Sequence, residues 1–520
     1  MFRFLFNKLK YLGLKSANKT NQNNTVITSN LKQNIAHFKN SLGDSNDIII
    51  REFKIGKKHN IDVALIYIDG MADDALITEV IKPLMYDINL KNRRIQNNID
   101  YFKNELIAIG EIETTNSSPQ LLAAILSGDT VLLINNSKQA IIIDTKGWVN
   151  RNVEEPDTER TVRGPREGFT ETLRFNTTLL RRKIQNPNLV FEAFTIGKQT
   201  KTLISIAYIK NIANPKIVEE VKRRIERIDT DAILESGYIE QFIEDAPLSV
   251  FSTVGNSERP DKVAGKILEG RVAIIVDGTP TVLTVPMLFI EGFQAPEDYY
   301  SRYSYATLIR LVRLFGFLIA LLLPSIYIAL HSYHQELVPT PLLKTMATQT
   351  EGTPFPVVIE VILMGFIFEV LREAGVRLPN QIGPAITIVG SLIIGDAAVQ
   401  AGLVGAPVII VIALTTLTTF LAVPHIDAVT ILRYVLVLLA GLLGGIGIAV
   451  GVIAIVIHLS SLRSFGVPYL SPLAPLTPEG LQDTLVRFPP WLQLIRPKLI
   501  TDNEYKQSKK QKPRASKHKH

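Results

Sequence analysis

"LISIAYIKNIANPKIVEEVKRRI", residues 203–225, decides how the first half of this chain is read. An apolar strand pattern runs into an amphipathic helix pattern. The same succession occurs earlier as "DVALIYIDGMADDALITEVIKPL", residues 62–84, offset by 141. The match continues, with "NSSPQLLAAILSGDTVLLINN" (116–136) answering "NSERPDKVAGKILEGRVAIIVDG" (256–278) at offsets of 140 to 142. Order and spacing kept over several elements point to an internal duplication rather than a chance similarity. Each copy closes on a hairpin pattern, "VLLINNSKQAIIID" and "VAIIVDGTPTVLTV", two apolar strands about an Asn or Asp-Gly turn. The expected unit is strand, helix, helix, hairpin. Two related α/β subdomains follow, 47–150 and 190–292; one continuous α/β domain of similar pieces is the other reading.

Around these lie a leader, 1–46, and a connector, 151–189. The leader opens with "MFRFLFNKLKYLGLK", which sets Phe2, Leu5, Phe6 and Leu9 on one helical face. Neither an apolar core nor a cleavage site follows, so it is not a secretory signal; it reads as an interfacial helix or as a disordered leader. In the connector Pro165 can begin a helix at Arg166. Its "GPREGF" patch offers Arg163, Arg166 and Glu167 either to an anionic ligand or, the preferred reading, to a neighbouring subunit.

Composition excludes several classes. The chain has 520 residues and no cysteine, which removes disulfides, thiolate metal sites and cysteine nucleophiles. The last twenty residues hold seven Lys or Arg against two acids, most of the formal charge of +7. Without interleaved aromatics this basic end reads as a solvated tail or an attraction to anionic lipid, not as a nucleic-acid site. No phosphate-binding, dinucleotide-binding, zincin or nucleophile-elbow motif occurs, so no enzyme, cofactor or metal is expected.

After residue 305 the chain turns apolar. "LIRLVRLFGFLIALLLPSIYIAL" (308–330) is long enough to cross a hydrocarbon core. Arg302, Arg310 and Arg313 flank its start, which places the soluble half in the cytoplasm. Further long runs cover 382–403, 404–423 and 430–459. Between Glu360 and Glu369, however, the segment 357–371 has only eight uninterrupted apolar residues. It reads as a re-entrant or pore-lining helix rather than an ordinary span. Four spans plus this element put both termini in the cytoplasm, within a membrane domain 293–462 followed by a tail 463–520; six crossings with a second short element are the variant. The fold class is thus an α/β cytoplasmic region of two related subdomains followed by an α-helical multi-span membrane domain.

On the short helix Glu360, Met364, Ile367 and Leu371 share a face, while Glu369, Arg372 and Glu373 cluster at its end. A ring of such helices presents an apolar girdle capped by carboxylates, as a hydrophobic gate with a cation-selecting mouth requires. The plain alternative is that Glu369 and Arg372 pair with each other. Asp396 and Gln400, four residues apart in "SLIIGDAAVQAGLV", share another face, and an intramembrane carboxylate persists only with water or a partner. Asp396 therefore lines an ion path, or packs the bundle through Gln400 or Arg372.

Five strings taken together, "GPREGF", "SERPDKVAGKILEGRVAIIVDGTPTVLTVP", "FEVLREAGVRLP", "IGDAAVQAGLV" and "RSFGVPYLSPLAP", resemble the A subunit of GerA-type spore germinant receptors, over roughly residues 47–490. The resemblance implies a multi-pass protein of the spore inner membrane. It implies work beside a transporter-like B subunit that binds the nutrient and a lipoprotein C subunit. It further implies self-association, as pentamers, into a ligand-gated channel that releases monovalent cations. The motifs do not separate such a subunit from the A-like protein encoded with dipicolinate channel genes. A non-conducting scaffold coupling receptor subunits is the competing function.

Overall fold

The computed structural model describes residues 26–55, 61–86, 99, 102–103, 107, 111–147, 156, 159–377, 383–477, 480–493 and 495–501. The amphipathic start of the leader and the basic end of the tail lie outside the described residues. The chain forms two compact units: 1–150 with 185–187, and 151–184 with 188–520.

In the first unit the elements run α1 (Leu31–Leu42), β1 (Ile48–Ile55), β2 (Ile61–Ile68), α2 (Asp74–Tyr86), β3 (Ile112–Thr115), α3 (Ser118–Ser127), β4 (Thr130–Ile134) and β5 (Ala140–Ile143). The second unit begins α4 (Leu173–Lys183), β6 (Leu189–Ile196), β7 (Thr202–Ile209), α5 (Pro215–Glu226), α6 (Ser236–Ile243), β8 (Gly255–Ser257), α7 (Pro260–Leu268), β9 (Val272–Val276) and β10 (Val282–Val285). The two five-stranded sheets have the same strand order, β1-β2-β4-β5-β3 and β6-β7-β9-β10-β8, with antiparallel neighbours.

The repeated apolar runs are central strands covered on both faces. In the second sheet Ile204, Ile206 and Ile274 face α5 and α6 through Val221, Ile225, Ile239 and Ile243. The alternate residues Phe191, Ala207 and Ile275 face α4 and α7 through Leu179, Leu180, Val263 and Ile267. With neither face wet, the alternation usual for an antiparallel sheet disappears from the sequence. Helix α5 starts where Asn214 accepts the Lys216 N–H at 3.0 Å with Pro215 as first residue, which satisfies an orphan donor and presets φ.

The duplicated unit begins earlier than the sequence suggests. Asn34 of α1 accepts the Thr28 N–H at 2.9 Å and donates to the Thr28 carbonyl at 2.7 Å. Asn176 of α4 makes the same pair with Thr170, at 2.8 and 2.6 Å. The backbone N–H of Leu31 reaches Asn135 at 3.4 Å, and that of Leu173 reaches Asp277 at 2.9 Å. Each repeat therefore opens with a helix and a strand that the expected unit lacked. The helix assigned to the 151–189 connector opens the second repeat, and its counterpart in the first repeat falls in the 1–46 leader.

Among the described residues two helices are long and apolar enough to cross a membrane, α8 (Tyr303–Ser332, 30 residues) and α13 (Ile426–Ser461, 36 residues). Between them run α9 (Thr340–Thr350), α10 (Val357–Arg377), α11 (Gly383–Gln400) and α12 (Ala406–Thr419). The element expected at 357–371 is thus 21 residues long and ends at Arg377.

Helix α13 doubles back at Gly444, whose φ of 62° and ψ of −138° leave the helical region. A Cβ on Gly451 would run into Leu436, fifteen residues away, whereas a straight helix would separate the two by about 22 Å. The arms 426–443 and 445–461 lie side by side. Their outer ends meet one ring, Phe251, 6.2 Å from His425 and 6.4 Å from His458. The turn meets the far end of α8, where Tyr333 donates to the Gly441 carbonyl at 2.5 Å and Gly445 N–H donates to His334 at 3.2 Å. The glycine-rich run read as a close-packing surface also supplies this reversal.

The described residues from 463 to 501 are held to the second unit rather than forming a free tail. Ser464 donates to the Thr253 carbonyl at 2.7 Å, and Thr501 donates to the Ile212 carbonyl at 2.6 Å, so the segment straps the second sheet's unit.

Candidate functional site: the helix Val357–Arg377

Helix α10 is apolar around most of its circumference, and its neighbours decide which side is used. Val357, Val361, Met364 and Phe368, at helical spacing, are buried against Tyr327 and Ile328 of α8, Val408 and Ile412 of α12, and Val437 and Ala440 of α13. The opposite stripe, Ile359, Leu363, Phe366 and Val370, stays exposed, with Phe366 at 62%. Beyond this stripe stand Glu373 and Arg377, an exposed i,i+4 pair at 2.6 Å.

Glu360 and Met364, expected to line a gate, are both buried inside the protomer, and Ile367 is half-buried. The Glu360 Oε2 accepts the Gly405 N–H at 2.9 Å, immediately before α12. A carboxylate there satisfies an orphan donor and faces the positive end of the helix dipole.

Glu369 is held between two arginines, Oε2 to Arg372 at 2.7 Å and Oε1 to Arg433 at 2.6 Å. Arg433 is buried and its guanidinium also lies 5.4 Å from the Tyr434 ring centre. The i,i+3 pairing of Glu369 with Arg372 is therefore present, joined by a residue that sequence reasoning missed. The signal was available as a lone arginine in the apolar run 430–459.

Asp396 stands on the last turn of α11, exposed, and accepts from Gln400 at 2.7 Å. Arg372 is engaged with Glu369 instead. In the connector Arg163 and Arg166 are exposed, whereas Glu167 bonds Lys183 at 2.7 Å.

A second polar centre joins the sheet's unit to the helices. Arg310, fully buried, donates to Asp298 at 3.0 Å and to Asp483 of the strap at 2.8 Å, and Arg313 reaches Asp298 at 2.8 Å. Tyr299 donates to Asp483 at 2.7 Å. Arg310 and Arg313, read as flanking charges of a span, are interior ion-pair partners. His425 stacks on Phe289 at 4.9 Å and bonds its carbonyl at 3.1 Å, a further link between the two layers.

These features define a protein with a duplicated α/β region, in which the second repeat is tied by buried ion pairs to a bundle of apolar helices. The sequence model described as Bacillus/Clostridium GerA spore germination protein matches residues 36–499. The chain belongs to this GerA spore germination family. It is 44% identical to Spore germination protein KA of Bacillus subtilis, over 94% of this chain and 90% of that one. It is 39% identical to Spore germination protein GerLA of Bacillus cereus, over 91% and 96%, and 32% identical to Stage V sporulation protein AF of Bacillus subtilis, also over 91% and 96%. A crystal structure of the N-terminal domain of the A subunit of the Bacillus megaterium germinant receptor GerK3 matches at 34% identity, covering 51% of this chain and 98% of that domain, with a TM-score of 0.38.

Proposed function

We propose that this chain is the A-type subunit of a nutrient germinant receptor, a non-enzymatic, multi-pass protein that self-associates around α10 and passes monovalent cations when germinant is sensed. The observation that supports this reading is the stripe Ile359, Leu363, Phe366 and Val370, left bare by a helix whose other side is fully used. Copies arranged about an axis would bring these stripes together as an apolar constriction that gates by dewetting, with Glu373 and Arg377 at one mouth. The gate then falls one face away from Glu360 and Met364.

Six crossings fit the contacts: α8, α10, α11, α12 extended by 420–425, and the two arms of α13. The starts of α8 and α13 and the end of α13 share one side, which we assign to the cytoplasm of the spore with both termini. Nutrient binding falls to a transporter-like B subunit, and a lipoprotein C subunit completes the receptor, in a ring of five A copies in the inner membrane. Identity of 44% to a germination protein against 32% to the sporulation protein AF favours a nutrient receptor over the dipicolinate-associated role.

The test is cation flux from liposomes holding the full chain, with and without its partners. Flux triggered by germinant and enlarged by Phe366→Ser supports conduction. No flux from either, with the assembly intact, favours a non-conducting scaffold.

A further inference from the structure

The second α/β repeat exposes two surfaces that complement each other yet lie on opposite faces of one sheet. On the α5–α6 side, Leu234, Tyr238, Phe242 and Leu248 are 64%, 46%, 52% and 99% exposed. Tyr238 and Phe242 are one turn apart on α6, with exposed Asp231 and Glu235 beside them. Glu235 stays ionised: burial raises its carboxyl, but hydrogen bonds from Ser236, the Gly237 N–H and Thr279 outweigh that and hold it below the usual range. Isolated exposed apolar residues are ordinary, but a clustered set with an acidic edge marks a contact surface.

On the α4–α7 side the segment 159–169 is fixed to its own subdomain. Glu159 bonds Ser257 and Lys262, Arg259 donates to the Pro165 carbonyl at 2.7 Å, and the Phe169 N–H reaches the Glu258 carbonyl at 2.8 Å. This anchoring turns Val162, 96% exposed, and the exposed Arg163 and Arg166 outward. One surface is apolar with carboxylates, and the other is apolar with guanidiniums.

We propose that Val162, Arg163 and Arg166 of one copy dock on the Leu234–Tyr238–Phe242–Leu248 surface of the next. This rests on the reading of the protein as a self-associating subunit and specifies its contact. Because the two surfaces occupy opposite faces of the sheet, the contact is head-to-tail, and it propagates from copy to copy, into a ring where the rotation closes, rather than pairing two copies about a two-fold axis. Charge complementarity sets the register, with Arg163 and Arg166 facing Asp231 and Glu235.

The chain has no native cysteine, so introduced thiols are the only ones. Full-length Tyr238→Cys and Arg166→Cys chains are oxidised in membranes, singly, co-expressed and as the double variant. A head-to-tail contact gives no disulfide in either single variant, a dimer on co-expression and a ladder in the double variant. Phe242→Asp shifts the assembly toward monomer while leaving the Tm unchanged. Self-cross-linking of Tyr238→Cys, or capture of another protein there, overturns the proposal. So do oligomers that persist in Phe242→Asp without any cross-link, which leaves self-association standing. A wild-type chain that is monomeric throughout removes self-association as well.

Discussion

Glu360 and Gly405, 45 residues apart, are joined by a carboxylate oxygen that accepts a backbone N–H at 2.9 Å inside the helix bundle. The contact makes Glu360 a cap on α12. Glu360→Ala leaves that N–H buried without a partner and should cost about 1–3 kcal/mol. Glu360→Gln keeps an acceptor and loses mainly the charge on the helix dipole, about 0.3–1 kcal/mol. Thermal denaturation in detergent ranks the two; equal damage from both would make the charge, not the cap, the important feature.

The two sides of α10 should respond differently to polar substitution. Met364→Ser opens a cavity and buries a hydroxyl, so it should lower protein abundance, with a cost of about 2–5 kcal/mol. Phe366→Ser removes an exposed ring and should leave abundance near normal while causing cation leak or premature germination. Immunoblots with ion-release assays separate the outcomes. Leak from Met364→Ser at full abundance would return the gate to the buried face.

Glu369 and Arg433 should be unequal partners. Arg433→Met still leaves Arg372 facing Glu369, so the loss should fall below the roughly 3–5 kcal/mol of a lone broken pair. Glu369→Leu leaves a buried guanidinium that, among the described residues, faces the Tyr434 ring and the Thr419 hydroxyl at 3.5 Å, and should cost more. Denaturation midpoints of the single and double variants test this, with the double recovering part of the Glu369→Leu loss. A larger effect of Arg433→Met would contradict the shared-carboxylate geometry.

Gly444 should tolerate no side chain. Its φ of 62° with ψ of −138° suits glycine alone, and a Cβ would meet Tyr333 at 2.7 Å. Gly444→Ala should reduce abundance, and trimming the ring with Tyr333→Ala should not restore it because the backbone strain remains. Full recovery by Tyr333→Ala would assign the defect to the clash. In intact cells Leu442→Cys, exposed beside the turn, should label from outside and Arg463→Cys, exposed just past the second arm, should not, if the hairpin crosses and returns.

Much of this was legible in the sequence for a physical reason. Strands covered on both faces, such as β7, need uninterrupted apolar side chains, and a duplicated pattern of them survives in order and spacing. Helix α1 was harder, and α4 was legible as a helix of the connector but not as the start of a repeat, because many polar residues interrupt their apolar stripes. The signal was Asn34 and Asn176, at the offset of 142 that also relates Thr28 to Thr170. On α10 no pattern separates the packed face from the bare one, since both are apolar; only the neighbouring helices decide that Met364 is covered and Phe366 is not. The reversal at Gly444 was hidden by a glycine run that serves close packing equally well.

Asp396 should matter to transport rather than to folding. It is exposed on the last turn of α11, and its hydrogen bond comes from Gln400, one turn away on the same helix. A carboxylate that packs on no neighbouring helix and has a local neutral partner contributes little to stability, so Asp396→Asn should stay within about 0.5 kcal/mol of the natural protein and at normal abundance. Arg372 is committed to Glu369, so Arg372→Gln should neither rescue nor worsen Asp396→Asn. If the assembled ring sets this turn beside the conduction path, the carboxylate raises the local cation concentration, and the asparagine variant should release cations more slowly after germinant addition. Raising the ionic strength should shrink the difference, because an exposed charge is screened within about 10 Å at 0.1 M salt. Loss of abundance in Asp396→Asn would show a packing role that its exposure argues against, and unchanged release at low salt would remove the residue from the path.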